Sequence, residues 1–375
     1  MRDRDDEDDD LLLWGDVDAR TLPKVSLHDH LDGGLRPATV VELADEAGVE
    51  LPEGDADALA DWFHDQADSG SLVDYLKTFD LTTAVMQTEP ALTRVAREFV
   101  LDLAADGVAW GEVRWAPEQH LAKGLTLDAA VEAVQAGLEQ GVDEARRGGW
   151  DLRVGQLVTA MRHADRGLEI AELAVRHRDR GVVGFDIAGA EAGFLPARHR
   201  VAFDYLAEHW FPVTVHAGEA AGLDSIRSAL LDGRALRLGH GVRIAEDLTV
   251  REDAGRSYVT VGRLARWVRD RQVPLELSPS SNLQTGAIEA WGDDLADHPF
   301  DLLFQLGFKV TVNTDNRLMS DTSLSRELVL LADAFDYDLD DLLTFQLNAA
   351  ESAFLPLEER EALADRIASG FEAID

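Results

Sequence analysis

Lys24-Val25-Ser26-Leu27-His28-Asp29-His30-Leu31-Asp32-Gly33-Gly34 reads as a short strand running out into a glycine turn. Side chains alternate across a strand, so His28 and His30 leave its end on one face, where two imidazoles can hold a metal. A His-x-His pair also arises by chance in many strands, and alone it decides nothing. Three later stretches add weight: Val215-His216-Ala217-Gly218-Glu219, Leu238-Gly239-His240-Gly241 and Val312-Asn313-Thr314-Asp315-Asn316. Each is an apolar run that ends in an ionisable side chain next to a glycine or a turn residue.

Strand-like and helix-like runs alternate between these stretches. Strands are expected at Val25–His28, Val108–Trp115, Arg153–Met161, Val182–Ala188, Pro212–His216, Leu236–His240, Pro274–Leu277 and Lys309–Asn313. Helices at Ala91–Ala105, Thr126–Arg147, Leu168–Arg178, Val201–His209, Asp224–Leu231, Gly262–Asp270 and Phe300–Leu306 separate them. Apolar strands alternating with amphipathic helices imply parallel strands buried on both faces, and eight of them imply an α/β fold, a single (β/α)8 barrel of TIM type. The four ionisable stretches then end strands one, five, six and eight, on the face where such barrels do chemistry. An open doubly wound sheet would separate the first and last strands, whereas closure brings Asp315 to His28 and His30.

Pro37–Gly48, Ala56–Ala67 and Ser71–Gln87 read as extra helices inserted after the first strand. Leu72, Tyr75, Leu76 and Phe79 form an apolar stripe on the last of these. Such a stripe is usually core; over the active face of a barrel it becomes a lid or pocket wall. C-terminal helices at Ser323–Phe335, Leu339–Asn348 and Leu357–Ile367 cover the last strands and the barrel bottom. One domain over residues 21–375 follows, preceded by an acidic arm over residues 1–20 that is expected to be solvated and mobile.

The chain has 375 residues, 46% hydrophobic, enough for a large core. No apolar run approaches the roughly 20 residues that span a bilayer, and the N-terminus is acidic where a signal peptide would be basic, so a soluble, cytoplasmic protein is expected. With 35 Lys+Arg against 72 Asp+Glu the formal charge is -37, which argues against nucleic acid and anionic membranes as partners. The bases are nearly all Arg, and an acidic, Lys-poor surface suits concentrated salt; a genome rich in G and C would favour Arg as well. The oligomeric state is not legible.

No cysteine is present, so a metal must take His and carboxylate ligands. His28, His30, His216 and Asp315 make a nitrogen-rich set suited to one zinc ion. Zinc lowers the pKa of bound water to about 7, which points to hydrolysis. Glu219 stands three residues past His216, beyond a glycine, near the metal without ligating it, and a carboxyl raised by burial can donate a proton there. His240 reads as a fifth ligand or as a base over the attacking water, and the base is preferred.

These stretches, with Gly184-Phe185-Asp186-Ile187-Ala188-Gly189-x-Glu191 and Ser278-Pro279-x-Ser281-Asn282, resemble the adenosine deaminase family from about Pro23 to the C-terminal helices. The resemblance implies a zinc aminohydrolase of purine salvage that converts adenosine or 2′-deoxyadenosine to inosine or 2′-deoxyinosine and ammonia. It implies that His28, His30, His216 and Asp315 bind zinc, that Glu219 protonates purine N1, that His240 orients and deprotonates the attacking water, and that Asp315 assists as base. The Gly189 amide would bind N3, and Asp32, beside His30, would accept from the ribose 5′-hydroxyl and repel a 5′-phosphate. Leu72, Tyr75, Leu76 and Phe79 would cover ribose and base. Asn316 stands where many members carry a second Asp that bonds N7, and its amide can donate there at any pH. Two alternatives stay open: the same chemistry on adenine or a modified 6-aminopurine nucleoside, and a zinc-binding barrel without catalysis.

Overall fold

A computed structural model describes residues 11–13, 15–253 and 256–374. Eight parallel strands build its centre: β1 (Lys24–His30), β2 (Val108–Trp115), β3 (Arg153–Met161), β4 (Val182–Ala188), β5 (Thr214–Ala217), β6 (Arg237–His240), β7 (Leu275–Leu277) and β8 (Val310–Val312). They pair in the orders β1-β2-β3-β4 and β8-β7-β6-β5. All eight expected strands form, and β1 runs two residues further than expected, so His30 belongs to it as well.

The two half-barrels meet at seams that are not continuous ladders. Single parallel bridges join Asp29 to Asp315 and Phe185 to Val213. At the first seam, side chains take over the ladder's work: the Val25 and Leu27 amides donate to Gln346 Oε1 at 2.8 Å and Asn313 Oδ1 at 3.2 Å. A buried amide must find an acceptor, and β8 is only three residues long, so neighbouring side chains supply what the strand cannot.

Capping chemistry sets the flanking helices. Pro37 opens α1 (Pro37–Ala47) and Gly48, at φ +70°, closes it, the proline-first, glycine-last asymmetry of helix ends. Thr88 and Thr126 cap helices Glu89–Ala105 and Leu127–Arg147 by accepting from Ala91 and Ala129 amides. α2 (Ala56–Ala67) forms as expected. The helix expected over Ser71–Gln87 is broken into α3 (Leu72–Tyr75), a 3-10 turn at Leu76–Thr78 and α4 (Phe79–Val85). Thr78, Thr82 and Thr83 turn their hydroxyls back onto the Tyr75 and Phe79 carbonyls, a local bonding that competes with a regular helix.

Two further differences are local. The charge run of the expected acidic arm lies outside the described residues, but the arm does not extend through residue 20. Leu12–Leu13 pairs with Val17–Asp18, and Leu13 and Ala19 are buried in the core, because the apolar side chains after the charge run have a surface to cover. An antiparallel hairpin, Leu248–Asp253 with Arg256–Val261, stands between β6 and the next helix where no element was expected. One contiguous apolar core runs from Leu13 to Phe371. Among the described residues no helix is long and apolar enough to cross a membrane.

Candidate active site

The C-terminal ends of β1, β5, β6 and β8 meet in one buried cluster. One donor atom each of His28, His30, His216 and Asp315 lies within 4.8 Å of all the others. His30 Nε2 is 3.2 Å from His216 Nε2, and Asp315 Oδ1 is 3.2 Å from His28 Nε2 and 3.3 Å from His30 Nε2. Donors about 2.0 Å from one tetrahedral cation lie about 3.3 Å apart, so these spacings fit a shared ion. His28 Nε2 is buried and makes no hydrogen bond, an orphan that a metal would satisfy. Burial holds His30 and His216 below the usual imidazole range, in the neutral form that ligates. His28 is raised instead, since the neighbouring Asp315 and Glu276 carboxylates outweigh burial and Arg114.

Behind the cluster the barrel interior is ionic. Glu276 Oε2 lies 3.1 Å from His28 Nδ1, and Asp186 Oδ2 lies 2.8 Å from His216 Nδ1. Arg114 bonds both carboxylates, at 2.8 and 2.9 Å, and Arg237 joins Glu276 to Glu112 at 2.6 Å each. Burial alone would raise Asp186, but His216 and Arg114 bring it down to about 2. Each carboxylate fixes which imidazole nitrogen faces the cluster, which is how outer partners orient metal ligands.

A second group overlaps the first: Glu219, His240 and Asp315. Asp315 divides its oxygens between the two groups. Oδ1 faces His28 and His30, while Oδ2 accepts from Ser281 Oγ at 2.6 Å and lies 3.9 Å from His240 Nε2. Glu219 Oε2 is 3.5 Å from the same nitrogen. Burial, with Asp315 and Glu191 nearby, raises Glu219 well above the carboxylate range and so favours its protonated form. The loop carrying Glu219 is tied down by Glu191, which accepts from the amides of Gly218, Glu219, Ala220 and Ala221 and from Ser225 Oγ.

The cluster opens into a cavity of about 230 Å³ lined by every remaining predicted site residue: His30, Asp32, Leu72, Tyr75, Leu76, Phe79, Gly189, Glu219, His240, Asp315 and Asn316. His30 Nδ1 lies 3.9 Å from Asp32 Oδ1, and burial pushes Asp32 up to about 7. Gly189 takes φ +98°, a conformation that side chains resist, and Met161 already sits where its Cβ would point. Asn316 packs so closely on Gly33 that a Cβ there would run into Asn316 Oδ1. Tyr75 Oη lies beside the Ser320 and Asn316 side chains, and Asn316 Oδ1 is buried without a hydrogen-bond partner.

A family model for adenosine deaminase matches residues 23–370. The chain belongs to the adenosine deaminase family. It is 60% identical over 349 residues to adenosine deaminase 1 of Streptomyces coelicolor, covering 93% of this chain and 86% of that one. Adenosine deaminase of Mycobacteroides abscessus is 57% identical over 352 residues, covering 94% and 95%. Among solved structures, adenine deaminase from Arthrobacter aurescens shares the fold at a TM-score of 0.80 and 24% identity, covering 94% and 99%.

For this member of the family, sequence reasoning gave no role to the supporting residues: Asp186, Glu191 and Asn282 stand in stretches that carry the resemblance, while Arg114 and Glu276 were passed over. A signal existed for two of them, because Phe185-Asp186-Ile187 and Leu275-Glu276-Leu277 place a carboxylate inside an apolar strand. A charge there needs a partner, but the partners, Arg114 and Arg237, lie on other strands.

Proposed function

We propose that the chain hydrolyses adenosine and 2′-deoxyadenosine to inosine and 2′-deoxyinosine with release of ammonia, and that His28, His30, His216 and Asp315 hold one zinc ion for that reaction. Zinc supplies a Lewis acid that makes water nucleophilic near neutral pH. The observation that carries the proposal is the division of Asp315 between a metal-type cluster and a proton-transfer group built on a protonated Glu219.

Glu219 donates its proton to purine N1, so negative charge does not accumulate on the ring as oxygen adds to C6. Asp315 Oδ2 takes a proton from the attacking water and passes it to the leaving amine. The C6–N bond then breaks and ammonia departs; N1 keeps its proton in the product, and the proton released from the C6 hydroxyl as the carbonyl forms returns Glu219 to its acid form. His240 orients the attacking oxygen. Asp32 bonds the ribose 5′-hydroxyl, the Gly189 amide meets N3, and Asn316 donates to N7. Leu72, Tyr75, Leu76 and Phe79 exclude water above the base.

Asp32 favours a nucleoside over free adenine, since its buried Oδ1 has no hydrogen-bond partner in the protein and a sugar hydroxyl would supply one. Zinc-loaded protein mixed with adenosine, adenine or AMP tests this through the change in purine ultraviolet absorbance. Rapid change with adenosine alone is expected. Activity only on adenine would move the substrate to the base, and inactivity on all three with zinc bound would refute deamination of these purines.

A further inference from the structure

His298 is buried in the turn before helix Phe300–Gln305 and stands outside the cavity lining. Its Nδ1 accepts the Phe300 backbone N–H at 3.0 Å. Burial pushes His298 down to about 3, so the ring is neutral at working pH, and its one proton must sit on Nε2. That nitrogen lies 3.3 Å from Asn282 Oδ1, an oxygen that can only accept.

The donation settles which way the Asn282 amide points. Its Nδ2 faces His240 Nδ1 at 3.0 Å. An amide NH2 group donates and does not accept, so His240 Nδ1 carries no proton. The His240 proton therefore sits on Nε2, which is turned toward Glu219 Oε2 at 3.5 Å and Asp315 Oδ2 at 3.9 Å.

We propose that His298 is a positioning residue that fixes, through Asn282, the Nε2–H tautomer of His240, so that His240 donates a hydrogen bond to the attacking oxygen. The proposal deepens the deaminase reading and rests on it for that last step. A nitrogen that already carries a proton cannot take another from water, so the base expected at His240 passes to Asp315. The relay begins at a backbone amide, which cannot change protonation state, and every link in it is buried. His298 thus acts on the chemistry without touching substrate.

The tautomer is read directly from long-range ¹H–¹⁵N spectra of zinc-loaded protein carrying ¹⁵N-histidine, with His240 assigned by comparison with His240→Gln. The expected wild-type pattern is Nε2 protonated and Nδ1 bare. His298→Leu frees the amide to rotate; His240 should shift toward the Nδ1–H form, with kcat falling roughly 100-fold and KM little changed. His298→Gln supplies an N–H again and should restore both the spectrum and most of kcat. If His298→Leu does not fold, Asn282→Asp replaces the donor with a carboxylate and should force the Nδ1–H form. A wild-type His240 protonated on Nδ1, or a tautomer unmoved in the folded variants, overturns the proposal. Failure to deaminate adenosine would instead count against the deaminase reading, because the spectrum does not depend on turnover.

Discussion

His240 and Asp315 both take left-handed backbone angles, φ +58° and +60°, although neither is glycine. Each such residue costs on the order of 1 kcal/mol or more, and the surrounding structure must hold it. For Asp315 the hold is visible: its amide donates to His28 O at 2.9 Å, and its carbonyl accepts from His30 N at 2.8 Å. The bend turns one carboxylate toward both groups at once. Removing the proton donor alone should separate the two functions. Glu219→Gln keeps shape and should lower kcat/KM by about 10²–10⁴, with zinc affinity in chelator competition unchanged; full turnover would exclude Glu219 as the acid. Asp32 gives a test with a pH sign. Raised to about 7, it gains its charge as pH rises through neutrality, so preference for adenosine over AMP should widen between pH 6 and 8. In Asp32→Asn the ratio of the two kcat/KM values should stay level with pH, and a ratio that still widens would remove Asp32 from the sugar site.

Elements meet at the β8/β1 seam through few bonds, and Arg317 reinforces it from outside. Its Nε lies 2.9 Å from Asp29 Oδ2, its Nη1 3.3 Å from Asp102 Oδ2, and its guanidinium 4.6 Å from the Phe99 ring centre. Asp29 sits between the candidate ligands His28 and His30 on the opposite face of β1, fully buried. Arg317→Met should destabilise the protein by about 3–5 kcal/mol by leaving that carboxylate unpaired, and should weaken zinc roughly 10–100-fold. Adding Asp29→Asn should return the urea midpoint toward wild type while zinc stays weak; recovery of both would mean that the pair supplies charge balance and no alignment. Strands and caps at this scale were legible, because period and capping residues are local signals. The break within Ser71–Gln87 was not, since a threonine hydroxyl chooses between solvent and a carbonyl only once the helix packs.

For the molecule as a whole, charge and buried histidines set the response to solvent. Self-repulsion from a formal charge of -37 is screened by salt, so Tm should rise between 0.1 and 2 M NaCl; a fall would sink the high-salt reading of the composition. His120 and His298, brought by burial down to about 4 and about 3, stay neutral when folded and take up a proton when unfolded below about pH 6.5. Their contribution is complete above pH 6.5 and is lost as pH falls toward 4, at about 1.4 kcal/mol per pH unit for each ring. A denaturation midpoint level down to pH 4 would contradict it.

The resemblance supplied Asp32, Gly189 and Asn316 in the cavity, while the sequence by itself determined the eight-strand alternation and the candidate ligand set His28, His30, His216 and Asp315. These are carried by spacing along the chain: an imidazole or carboxylate at the end of an apolar strand is recognisable wherever the strand lies. Tertiary structure alone decided how that set is supported. Arg114 reaches Asp186 and Glu276 across strands far apart in sequence, side chains of Gln346 and Asn313 close the first seam, and His298 addresses His240 through Asn282. A hydrogen bond depends on the distance and direction between two groups, and for residues on different strands only the folded barrel sets both.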